Sequence, residues 1–152
     1  MKKNATSSEA WRKHLFDGLL RGIRLQSSIY FRPEFRAPWG VSITRDCAVF
    51  HIVARGTCCF QVKGSEEPME LAEGDFVVVT RGAPHQVRDQ ASSRTVNFFE
   101  LANSHMTKRN GTFGFGGDGA LTRLVCGGMQ FEDSALSPLL RILPPVLHVN
   151  RT

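Results

Sequence analysis

A chain of 152 residues that is 41% hydrophobic and 22% charged has room for one core and no second folded domain, and is too apolar to be disordered. Its formal charge of +5 resides in residues 1–36, where eight Lys/Arg face three acidic residues; the remainder is neutral and lacks the basic, aromatic-interleaved surface that nucleic acid requires. No apolar run approaches the roughly 20 residues that span a bilayer, and Met1 to Ser8 is polar rather than a leader, so a cytoplasmic protein without membrane contact is expected.

In chain order, Thr6 and Glu9 make a capping-box pair, and Trp11, Leu15, Leu19 and Ile23 recur every fourth residue with Phe16 and Leu20 beside them. This predicts an amphipathic helix within a basic N-terminal arm, residues 1–27. Gly18 and Gly22 weaken it by about 1 kcal/mol each, so it has to dock on the rest of the chain. From residue 28 the period shortens, and strands are predicted near 28–32, 40–45, 48–55, 57–63, 68–71, 76–80, 85–88, 94–101 and 121–126, with Pro33 ending the first or placing it at an edge. Short strands with no helices between them define a mainly β, antiparallel sandwich or barrel over residues 28–152, forming a single domain with the N-terminal arm. The five glycines of Asn110 to Gly119 read as a flexible loop or lid. Leu136 to Leu143 has helical spacing stopped by Pro144-Pro145, and the final residues, 146–152, are too short to pack much alone.

Cys47, Cys58, Cys59 and Cys126 show no zinc-ribbon or redox spacing and read as reduced thiols. No nucleophile elbow or Ser/His/Asp signature is present. The chemically richest run is Gly74-Asp75 turning into Phe76–Thr80, then Arg81-Gly82-Ala83-Pro84-His85. A glycine that permits positive φ, placed three residues before a histidine aimed by Pro84, suits the delivery of an imidazole into a cavity.

That run resembles the second motif of the cupin superfamily: Gly74, Gly82 and His85 match, Thr80 stands in place of a Pro and Asp89 in place of an Asn. Tyr30-Phe31-Arg32, Arg36 to Gly40, Phe50-His51, Arg81 to His85, Leu124 to Gly127 and Leu143 to Val149, in that order, resemble the N-terminal cupin domain of AraC-type transcription regulators. The resemblance implies a jelly-roll β-barrel that binds a small molecule and reports its presence through helix-turn-helix units, which residues 1–152 lack. Sequence-specific DNA binding by this chain alone is therefore not expected. In metal-dependent cupins the first motif supplies two His and a Glu; here Val49 and the stretch Ser42 to Arg45 occupy those positions, which argues against ordinary cupin metal chemistry.

Strand alternation puts Val49, His51 and Val53 on one face and Cys58, Phe60 and Val62 on one face of the next strand, both inward in such a barrel. The expected ligand site is His51, Cys58, Phe60, His85, Phe98 and Cys126, and recognition rather than turnover is the expected activity. The alternative is a small enzyme with zinc or another divalent transition metal on His51, His85 and Cys126. A third reading is a homodimer built from the N-terminal helix and edge strands around a vestigial pocket.

Overall fold

A computed structural model of the chain describes residues 25–105, 111–131 and 141–151. The expected N-terminal helix, its basic residues up to Arg24, and residues 136–140 of the expected C-terminal helix lie outside them. The elements are β1 (Leu25–Arg36), β2 (Gly40–Ile43), β3 (Ala48–Arg55), β4 (Thr57–Val62), β5 (Met69–Ala72), β6 (Phe76–Val79), β7 (His85–Arg88), β8 (Val96–Asn97), α1 (Phe98–His105), β9 (Thr112–Gly116), β10 (Leu121–Phe131) and β11 (Val146–Val149).

The strands form two sheets, ordered β11-β6-β3-β10-β1-β9 and β5-β4-β7-β2-β8. Inward residues of both, including Phe35, Val53, Val77 and Val79 from the first and Val41, Phe60, Leu71 and Val87 from the second, form one buried core. The expected mainly β fold is present, but as two open facing sheets rather than a closed barrel. Among the connections at which the chain passes from one sheet to the other are β3–β4, β5–β6 and β6–β7, where short turns become corners. Gly56, Gly74 and Gly82, all with positive φ, stand at those corners. At Gly82 a Cβ would collide with the carbonyl oxygens of Arg45 and Cys47, so the turn that launches β7 tolerates no side chain.

Four readings of the sequence are corrected. Residues 94–101 are not one strand: pairing stops at Asn97, whose side-chain oxygen accepts the backbone N–H groups of Phe99 at 3.0 Å and Glu100 at 3.2 Å. This N-cap starts α1, which buries Phe98, Leu101 and Ala102 at helical spacing. Thr112–Gly116, the centre of the glycine-rich stretch, is not loop but β9, parallel to β1. Its glycines allow close approach, since a Cβ on Gly116 would meet the Arg36 carbonyl. Pro33 neither ends β1 nor marks an edge, because β1 lies between β10 and β9. Finally, residues 146–149 do pack: β11 pairs with β6 from Val146↔Val79 to Val149↔Phe76. Thr80, in the place of the motif's Pro, donates its hydroxyl to the Pro144 carbonyl at 2.9 Å and fixes the entry to β11.

Candidate functional site

Register delivers the site. Cys126 of β10 is the direct cross-strand partner of His51 of β3, so both side chains enter the same face of the sheet. His85 opens β7 in the opposite sheet, paired with Val62 and Ile43 on either side. The three side chains are buried, at 2%, 1% and 3% exposure for His51, His85 and Cys126, and they touch in sequence. His51 Nδ1 lies 3.0 Å from Cys126 Sγ, and His51 Nε2 lies 2.8 Å from His85 Nε2. His85 Nδ1 lies 2.7 Å from the Ala83 carbonyl oxygen.

The hydrogen-bond directions follow from the last contact. A carbonyl only accepts, so His85 carries its proton on Nδ1, and a neutral His85 then offers Nε2 as an acceptor. His51 must donate from Nε2, which leaves Nδ1 to accept the Cys126 S–H. Every ring nitrogen of His51 and His85, and the Cys126 thiol, is satisfied with all three groups neutral, as a buried network requires. The electrostatics agree. Burial, and then the proximity of His85, pushes His51 down from 6.5 to about 3. Burial also lowers His85, against the upward pull of the Ala83 carbonyl. Burial, then Cys58, pushes the Cys126 thiol above its ordinary value. Cys126 rests as a protonated thiol and not as a nucleophilic thiolate.

The other expected residues divide. Phe60 packs on both imidazoles, with ring centroids 5.4 Å from His85 and 6.4 Å from His51. Cys58 is buried in the core, its thiol pushed up to about 12 by burial first and then by Cys59, Glu70 and Asp75. None of the four cysteines is in a disulfide. Phe98 stands with Phe31 in an edge-to-face pair at 5.1 Å. The space expected between His51 and His85 is filled by their hydrogen bond. The cavity lies instead on the Cys126 side of His51. It is small, about 20 Å³, room for roughly one water. It is lined by the apolar side chains of Phe31, Ile43, Val49, Phe98 and Phe99, by His51, Cys126 and Gly127-Gly128, and by Arg45.

Arg45 is the residue that sequence reasoning passed over, although it occupies the stretch where metal-dependent cupins carry histidine. Its guanidinium lies 4.1 Å above the Phe99 ring, and its backbone N–H donates to the Gly82 carbonyl at 3.3 Å. The corner that aims His85 thus also holds Arg45.

A single metal ion does not fit the three donors as they stand. Two nitrogens 2.8 Å apart would subtend only about 86° at a zinc ion with ordinary bond lengths of about 2.05 Å, well short of tetrahedral. Cys126 contacts the other nitrogen of His51 and so lies across the ring from His85. Among the described residues no three His, Cys, Asp or Glu side chains converge as a metal-holding group.

Two facing sheets joined through glycine corners, with an imidazole aimed inward from the start of a strand, define a mainly β sandwich. The chain belongs to the cupin family, whose model matches residues 15–152. It is similar to AraC-like transcription regulators of Streptomyces lividans and Streptomyces antibioticus, each 34% identical over 103 residues, which is 66% of this chain and 32% of theirs. The chain therefore spans about a third of the length of these relatives. Among the described residues no helix is long and apolar enough to cross a membrane.

Proposed function

We propose that this chain is the small-molecule recognition module of a transcription regulator. The observation that carries the reading is the pocket beside His51: apolar walls with a few convergent polar groups, the usual composition of a small-ligand site. The similarity to AraC-like regulators supports regulation as the context. In those relatives some two thirds of the length lies outside the matched region, and the output to DNA is proposed to reside in such a segment. The Cys126–His51–His85 chain acts as a rigid polar floor, holding His51 in one tautomer against the cavity.

Thermal unfolding across a library of neutral and charged metabolites tests this. A binder stabilises by RT ln(1 + [L]/Kd), about 2.7 kcal/mol at a hundredfold excess over Kd. Val49→Phe, which fills the pocket from its wall, is expected to abolish that gain while leaving a cooperative melt. A library in which no compound stabilises the wild type, or in which every stabiliser acts equally on Val49→Phe, removes the proposal.

A further inference from the structure

Resting on the pocket reading above, we infer that Arg45 makes this a site for a short-chain organic monocarboxylate, with the acid group at the guanidinium and a few apolar carbons against Phe31, Val49 and Phe98. Four observations converge. Arg45 is half-buried, lines the cavity and is, among the described residues, the only charged residue to do so. The described ion pairs, Arg123–Glu34 and His148–Asp75, do not involve it. Its guanidinium carbon lies 4.1 Å from the centre of the Phe99 ring, a contact with the ring face that does not use up its N–H donors. Its backbone is tied to the corner at Gly82, so its approach is set by the same turn that positions His85.

A guanidinium matches a carboxylate through two parallel N–H···O bonds, and one cation balances one negative charge. The apolar walls disfavour a phosphate or a dicarboxylate, whose second charge would have no partner there. The cavity of about 20 Å³ takes about one water-sized group, so only the end of a short chain enters it, which argues for aliphatic over aromatic acids. The floor adds no competing cation, because both imidazoles are committed to neutral hydrogen bonding. Selectivity for charge therefore falls on Arg45 alone.

The test is titration of the full chain with butyrate and with butyramide, of near-identical shape, followed by NMR of backbone amides and arginine Nε–H groups. Charge-assisted hydrogen bonds predict that butyrate binds about tenfold or more tightly than butyramide, with shifts at Arg45, Phe98, Phe99 and Gly127. Arg45→Gln is expected to erase that preference, and Arg45→Lys to retain part of it. Equal binding of the two probes, or a preference that survives Arg45→Gln, overturns the inference while leaving the pocket reading intact. Absence of any butyrate shift at these residues also overturns it, whereas the pocket reading stands or falls separately, on the library screen and Val49→Phe. Shifts spread over other arginines and absent from Arg45 identify adventitious anion binding and count against the inference.

Discussion

Acidification from about pH 7.5 to about pH 5 is expected to weaken the fold through His51. In the unfolded chain this imidazole titrates at its ordinary 6.5, whereas the folded protein holds it down to about 3, by burial first and then by His85. Because the folded value is depressed, the two states bind equal protons at alkaline pH. They diverge as pH falls below 6.5, where only the unfolded chain takes one up. At about pH 5 the separation from the ordinary value is about 1.5 pH units, or about 2 kcal/mol of lost stability from this one residue. His85, lowered in the same direction, adds to the loss. The local reason is geometric: a protonated His51 would turn a second N–H against the Cys126 S–H, 3.0 Å away, and the thiol would lose its acceptor. Urea unfolding followed by circular dichroism, with midpoints measured across this range at constant m, reads the effect directly. His51→Gln should flatten the slope by close to one proton. A midpoint independent of pH between 7.5 and 5, or a slope that His51→Gln leaves unchanged, would refute the assignment of a neutral buried chain.

Three further outcomes follow from the same geometry. Cys126→Ala should cost about 1–3 kcal/mol, because His51 Nδ1 is left without a donor, while Cys126→Ser should recover part of that loss in the same chemical unfolding assay. Gly82→Ala places a Cβ against the Arg45 and Cys47 carbonyls at a φ of 64° and should destabilise by at least about 1 kcal/mol, with NMR shifts at both Arg45 and His85. Zinc added in equimolar amounts to the metal-stripped protein should not be retained on gel filtration, as measured by atomic absorption. Stoichiometric zinc that disappears in His51→Ala and His85→Ala would show that the rings reorient into a metal centre.

Where local pattern and tertiary environment agree, the elements were legible. The apolar run of β3, bounded by Gly56, was read at its observed limits, Ala48–Arg55, and β7 likewise at His85–Arg88. Where an apolar run fits both periods, as at Val96 to Leu101, alternation alone misleads. The deciding feature was Asn97 with Glu100 three residues on, a capping signal present in the sequence but outweighed by β-rich neighbours. The glycines of β9 carried no readable strand signal, because their purpose is closeness to β1, a relation between distant segments.

The sequence by itself determined that this is a one-core β protein with inward imidazoles at 51 and 85, since pleat alternation and turn chemistry act between neighbours along the chain. Only the tertiary structure decided that those imidazoles meet each other rather than flank a shared cavity, that Cys126 joins them, and that Arg45 lines the cavity beside His51. These contacts bridge 34 positions from His51 to His85 and 75 from His51 to Cys126. Proton placement along them depends on one carbonyl, that of Ala83, whose orientation is set by the corner at Gly82. A hydrogen bond's direction is a property of the assembled network, and no spacing in one dimension encodes it.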